Sequence, residues 1–265
     1  MALQLILGGS GAGKTTYLYD EVIRLSMEHP QEQYFLIVPE QFTMQTQKDI
    51  VTRHPNHGTM NIDIVSFARL AYRIFEELAV ENLSVLDDMG KSMVLRKVAG
   101  LKRGKLSLYS GHLEQTGFIG QLKSQISELY QYGITPDMLR DVRGEADSPL
   151  LAQKLEDLEV IYSGFREYIE SHYITAEEIL DILCRELPKW EPLKDSIILL
   201  DGYTGFTPVQ YRLVELFLLH ARKVLCSVTI DPRANAYQEG SIQHLFYMGK
   251  HTVCRLDCMA KRHGI

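Results

Sequence analysis

The sequence predicts an α/β fold, a parallel sheet interrupted by an all-helical insertion. Three observations predict it. Short apolar runs alternate with helical spacing over residues 1–80 and again over 193–265. The stretch between them, 81–192, carries helical spacing and capping signals and no convincing strand. The first apolar run, Leu3–Leu7, leads into Gly8-Gly9-Ser10-Gly11-Ala12-Gly13-Lys14-Thr15, which is G-x-x-x-x-G-K-[ST] between a strand and a helix.

The elements follow in order. After the glycine loop, Thr16 to about His29 places Leu18, Val22 and Leu25 on one helical stripe. Tyr34–Val38 is a β-rich run that stops at Pro39; Glu40-Gln41-Phe42-Thr43 is a polar loop with an exposed aromatic, followed by a helix to about Arg53. Ile62–Val65 is a third strand, and Ser66 caps a helix bearing Phe67, Leu70, Ile74 and Leu78. These three β-α units are half of an open parallel sheet. In the helical stretch, Asp87 or Asp88 starts one helix, and Phe118, Leu122, Ile126 and Leu129 mark another, closed by Gly133. Thr135-Pro136 and Ser148-Pro149 each pair a cap with proline at the first helical position. The second opens a long helix with Leu151, Leu155, Leu158, Tyr162, Phe165 and Ile169 on one stripe, to be packed in a bundle or against a partner helix. Thr175 and Glu178 form a capping box, and Pro188 and Pro192 end the helical region. The α/β pattern returns with the strand Ser196–Leu200 ending at Asp201, a helix from Pro208 to about Ala221, and the strand Lys223–Ile230. Residues 254–265 carry no obvious fold-closing element, and the chain reads as an N-terminal fragment.

The glycine loop carries the clearest chemistry. Gly8, Gly9, Gly11 and Gly13 are expected to free the backbone so that its N–H groups converge on phosphate oxygens, with the following helix end adding its positive dipole. The binding stretch is Gly8, Gly9, Ser10, Gly11, Ala12, Gly13, Lys14, Thr15 and Thr16; Lys14 reaches the β- and γ-phosphates of ATP and Thr15 gives its hydroxyl to Mg²⁺. Asp201 is the candidate acid for holding Mg²⁺ through water, the alternative being that it only opens the Asp-Gly turn. The position after it, where many helicases carry a glutamate that activates water, is Gly202, and no other acid lies in Gly202–Pro208. Nucleotide binding with weak or absent turnover by this chain alone follows, and no residue is singled out as catalytic.

Composition narrows the remaining classes. The chain has 265 residues, 45% hydrophobic and 23% charged, and no apolar run approaches the ~18 residues of a membrane span. It enters a strand at once, without a signal peptide, so a cytoplasmic location is expected. A net charge of −6 argues against indiscriminate nucleic-acid binding but leaves room for a local basic groove. Between Met89 and Leu113, Lys91, Arg96, Lys97, Lys102, Arg103 and Lys105 occur with no acid, either a solvated face or a phosphate-binding one. Cys184, Cys226, Cys254 and Cys258 read as reduced thiols rather than a metal set.

Four pieces together carry a resemblance: Leu3 to Thr15 at the N-terminus, Ile37-Val38-Pro39-Glu40-Gln41-Phe42-Thr43, the third strand with Ser66-Phe67-Ala68-Arg69-Leu70, and Leu200-Asp201-Gly202-Tyr203-Thr204-Gly205-Phe206-Thr207-Pro208 with Gln210. The chain resembles the B subunit of the AddAB-type ATP-dependent helicase–nuclease of Gram-positive bacteria along its whole length. The resemblance implies a superfamily 1 helicase-like P-loop NTPase domain 1A (1–80 and 193–265) with an inserted helical subdomain 1B (81–192). It implies resection of double-stranded DNA ends for recombinational repair, in a heterodimer with an AddA-type helicase–nuclease subunit. It implies a front domain that holds single-stranded DNA and recognises the Chi sequence. An iron–sulfur cluster is implied only for a C-terminal part that these residues do not include. By the same resemblance, DNA contacts fall to Gln41, Phe42 and Thr43, to Ser66, Phe67, Arg69 and Tyr72, and to Tyr203 and Phe206; for Phe67 core packing is an equal reading. The competing class is a free-standing P-loop kinase or transferase for a small molecule, which would show an arginine-bearing lid.

Overall fold

A computed structural model describes residues 2–80, 84–170 and 173–265. The chain forms two compact units, one of Met1–Ala79 with Ile182–Ile265 and one of Val80–Asp181. It opens with β1 (Leu3–Gly8), α1 (Lys14–Glu28), β2 (Gln33–Ile37), α2 (Thr43–Arg53), β3 (Ile62–Val65) and α3 (Phe67–Glu77). The second unit contains β4 (Val85–Leu86), α4 (Asp88–Lys102), α5 (Phe118–Gln131), α6 (Pro136–Gly144), α7 (Pro149–Ile169) and β5 (Ile174–Thr175). The first unit resumes within α8 (Glu178–Glu186), at Ile182, and continues with β6 (Ser196–Leu200), α9 (Pro208–His220), β7 (Lys223–Thr229) and α10 (Tyr247–Arg262).

Five strands form one parallel sheet in the order β1-β7-β6-β2-β3. Every residue of β6 is buried, as a parallel strand covered on both faces requires. Alternation sorts the side chains. Tyr34, Leu36, Ile197, Leu199 and Leu225 join Leu18 and Val22 of α1 in one core layer. On β2, Phe35 lies 5.5 Å from the Trp190 ring and 5.3 Å from the Arg73 guanidinium.

The helical unit has its own core, in which Leu95, Val98, Leu122, Ile126, Ile161, Tyr162 and Phe165 are buried. Two buried charges are locally answered. Lys91 Nζ donates to both Glu177 oxygens at 2.7 Å and to Ser127 Oγ at 3.3 Å. Asp157, fully buried on α7, accepts from the backbone N–H groups of Ser107 (2.8 Å), Leu108 and Tyr109 (both 2.7 Å). Other charges of the basic stretch also have partners: Lys102 with Glu167, Arg103 with Glu114, and Lys97 over the Tyr168 ring.

Four expectations are corrected. The insertion is not strand-free: β4 and β5 pair in parallel, two residues each, too short to leave a period in the sequence. The first unit resumes at Ile182 rather than 193, because Trp190 packs on Phe35 and donates Nε1–H to Glu77 Oε2 at 2.6 Å. The long-helix stripe begins one turn late, with Leu151 45% exposed. The C-terminal stretch does pack onto the fold: Val253, Leu256 and Met259 of α10 are buried, and Gly249 lets the helix approach so near that a Cβ there would meet the Thr229 carbonyl oxygen at 2.2 Å.

Trp190 and Glu77 give a pH-dependent signature. Burial raises the Glu77 carboxyl, but hydrogen bonds from Trp190 and Arg73 outweigh it and hold the group below its ordinary value of 4.5. Its contribution to stability is therefore complete above that value and is lost as pH falls through the lower folded value. Trp190 is the only tryptophan, so its fluorescence reads this directly. Emission is expected to hold steady down to about pH 4.5 and to shift below it. Glu77→Gln should abolish that shift; an identical acid transition in the variant would refute the assignment.

Candidate phosphate-binding site

A parallel sheet delivers all its strand ends to one edge. Here the loops after β1, β2, β3, β6 and β7 share that edge, and the residues singled out for binding lie at the end of β1, on these loops, or in the first two turns of the helices that follow.

The loop after β1 is an open turn. Gly11 (φ 72°) and Gly13 (φ 84°) occupy the left-handed region, and Gly13 caps α1 without a side chain. The other two glycines need no such backbone. Gly8 sits in a tight place, where a Cβ would come 3.2 Å from Ala12 Cβ, while Gly9 has nothing within 4 Å. Ser10, Ala12, Thr15 and Thr16 are exposed. Lys14 folds back over the loop and donates Nζ–H to the Gly9 carbonyl at 2.7 Å. The ammonium thus stands beside the turn where a phosphate would be held.

Asp201 is fixed at the end of β6, 4% exposed. Its N–H donates to Ile37 O at 3.1 Å, and Ser227 on β7 donates its hydroxyl to Oδ1. Burial first, then the Asp201 charge, push the neighbouring Cys226 thiol up to about 12, so it stays protonated. Asp201 and Thr15 line the same cavity, about 240 Å³, together with Tyr19, Phe42, Thr46 and Gly202. Tyr19 donates its hydroxyl to Thr46 Oγ1 at 3.0 Å, and burial raises that phenol. The two residues expected to hold Mg²⁺ are brought to one place. Among the described residues no cluster of three metal-ligating His, Cys, Asp or Glu side chains occurs.

Gly202 has φ 78°, and a Cβ there would lie 3.4 Å from Pro39 Cδ and 3.7 Å from Phe42 Cδ2. The position lacks a carboxylate and also holds a backbone that L side chains rarely adopt.

The candidate DNA-contact residues separate into three groups. Gln41, Phe42 (47% exposed), Arg69 and Tyr72 (47% exposed) face solvent. Thr43, Ser66 and Phe67 are buried and so corrected as direct contacts. Thr43 Oγ1 donates to Glu40 O, Ser66 caps α3 by accepting Arg69 N–H, and Phe67 stacks on Phe217 at 6.5 Å. Tyr203 and Phe206 are half-buried, their rings 5.1 Å apart and 5.5 and 6.4 Å from Phe67. Burial raises the Tyr203 phenol. Phe206 also meets Tyr211 at 5.4 Å, so the polar loop does pack its aromatic ring.

Sequence reasoning missed Glu40. One carboxylate ties two loops together, accepting from Arg69 Nε at 2.9 Å and from the Ser66 hydroxyl. It also missed the support from α10, where Met248, Thr252 and Arg255 pack against Gly205 and Tyr211.

The chain is thus an α/β protein whose parallel sheet carries Gly-x-x-x-x-Gly-Lys-Thr in its first turn and an aspartate at a nearby strand end. The family is more specific: the model described as ADDB, N-terminal matches residues 5–265, and the chain belongs to that family. Relatives named as the B subunit of an ATP-dependent helicase/deoxyribonuclease occur in Lachnoclostridium phytofermentans (46% identical over 98% of this chain), Caldanaerobacter subterraneus subsp. tengcongensis (33% over all of it) and Geobacillus kaustophilus (31% over all of it). The chain spans 23% of the length of each of these relatives.

Gly202 yields a stability prediction. Gly202→Glu forces a side chain into the left-handed region at a cost of about 1–2 kcal/mol. Urea unfolding should show a midpoint lowered accordingly; an unchanged midpoint would mean the turn re-forms with negative φ.

Proposed function

We propose that the chain is the nucleotide-binding, DNA-holding front module of the B subunit of an ATP-dependent helicase/deoxyribonuclease. The observation that carries the reading is the convergence, on one sheet edge, of the Lys14 loop, Asp201 and the solvent-facing Gln41, Phe42, Arg69 and Tyr72. Family membership supports it, as does the strand order β1-β7-β6-β2-β3, which separates the loop strand from the Asp201 strand by one and suits a P-loop NTPase sheet of helicase 1A type. The helical unit takes the place of an inserted 1B subdomain.

ATP fits the loop through the free turn of Gly11 and Gly13 and through Lys14, whose bond to Gly9 O would be exchanged for phosphate oxygens. Thr15 and Asp201, which line one cavity, would hold Mg²⁺. Bound MgATP supplies a phosphoanhydride whose charge the loop neutralises. This chain's own contribution ends at binding and orientation, since Gly202 provides no carboxylate to align water. Hydrolysis by these residues alone is weak or absent.

DNA is held by base stacking on Phe42 and Tyr72 and by Arg69 on a phosphate. In the whole protein we assign this surface to the single-stranded tail at a resected double-strand end during recombinational repair, with Chi recognition at the same loops. An AddA-type subunit is the partner, in the cytoplasm. Among the described residues no helix is long and apolar enough to cross a membrane. The iron–sulfur cluster of the resemblance is assigned to sequence outside these 265 residues.

The test uses the 265-residue chain, a fluorescent ATP analogue and a labelled single-stranded oligonucleotide. Lys14→Ala should weaken nucleotide binding about tenfold or more, as expected for a charge-assisted bond. Asp201→Asn should remove the Mg²⁺ dependence. Phe42→Ala should weaken DNA binding by about fivefold or more, and Arg69→Ala should reduce its salt slope by about one. Nucleotide binding without any DNA binding would favour a kinase-like activity, and loss of neither with Lys14→Ala would discard the loop.

A further inference from the structure

The helical unit contains a cavity of about 480 Å³ between the segment before α5, α5 itself and α7, within the size range of small-molecule sites. One part of its lining is aromatic. The Tyr109 and Phe118 rings meet edge to face at 5.2 Å, and the His112 ring lies 6.2 Å from Phe118. Another part is polar: Gln115, Gln121, Gln125 and Lys154. Gln121 and Gln125 are four apart on α5 and share a face. Among the described residues, none of these four side chains has a hydrogen-bond or ion-pair partner.

The aromatic part is held in place from beneath. The fully buried Asp157 carboxylate, three residues beyond Lys154 on α7, accepts the N–H groups of Ser107, Leu108 and Tyr109. A buried charge is costly unless it is fully hydrogen-bonded, and here three backbone N–H groups and the Ser107 hydroxyl answer it, fixing the segment that carries Tyr109. His112 Nδ1 lies 3.0 Å from the Leu108 carbonyl, which only accepts, so Nδ1 carries a proton and the ring is oriented by the same segment.

Ring faces and edges for stacking, amides that donate and accept on adjacent atoms, and a lysine that has no ion-pair partner among the described residues match a base and its phosphate. We propose that this cavity binds one unstacked nucleobase, with Lys154 on the attached phosphate. The base belongs either to a single strand, in which case the inference rests on the DNA-holding reading, or to a free nucleotide.

The test is photocrosslinking of the 265-residue chain to a single-stranded oligonucleotide carrying 5-iodouracil, beside a titration with dTMP followed by histidine and aromatic NMR signals. Variants are the double change Gln121→Ala/Gln125→Ala and the single change Lys154→Ala, with thermal unfolding as the check on folding. The expected result is a crosslink within residues 109–118 and about tenfold weaker binding in the double variant, while Phe42→Ala leaves that crosslink in place. Crosslinks confined to the sheet-edge loops, unmoved by these variants, would overturn the cavity and leave the DNA-holding reading intact. Shifts of the His112 signals by dTMP without oligonucleotide binding would retain the cavity for a free nucleotide and overturn the DNA reading. Absence of both would overturn both.

Discussion

Parallel pairing of β6 between β2 and β7 is the constraint on which the site depends. It aligns Leu200 with Ile37 and with Cys226, so Asp201 emerges beside the end of β2 and under Ser227. Its backbone N–H is still held by Ile37 O. A one-residue slip would turn Asp201 to the opposite face of the sheet and away from Thr15. The site residues come from four distant segments, yet no loop has to find its place independently. The sheet register places them, and the wholly buried β6 makes that register costly to change.

On this frame the loops are braced against each other. Glu40 joins the β2 and β3 loops, Pro39 and Phe42 lie against Gly202, and α10 supports the loop after Asp201 through Met248 and Thr252. The consequence is a division of labour among the aromatics. Phe67 is a keystone, Tyr203 and Phe206 lean on it, and Phe42 and Tyr72 are left for solvent or a ligand.

Much of this was legible in the sequence. β3 and β6 were readable to the residue, since short apolar runs bounded by Ser66 and Asp201 admit little else. Caps at Ser66 and Thr135 were readable because a side-chain oxygen three residues before its N–H is a local relation, whereas Asp87 and Asp88 stood as alternatives until the Asp87 bond to Gly90 N–H separated them. Long-range relations were not. Nothing local in Trp190 says that it belongs against Phe35, and so the domain boundary was displaced. Nothing in the polar loop 202–207 says that Phe206 finds Phe67 and Tyr211. All four glycines of the first loop were expected to free the backbone, and sequence could not separate Gly11 and Gly13, which take positive φ, from Gly8 and Gly9, which do not. β4 and β5, at two residues each, lie below what any periodicity can register.

The conformation of Gly202 also sets what this position can become. A carboxylate cannot be added here by a change of side chain alone without straining the backbone, because the peptide sits in a left-handed turn. The turn would first have to re-form with negative φ. The distances to Pro39 and Phe42 would admit a Cβ, so the backbone rather than its neighbours keeps the position bare.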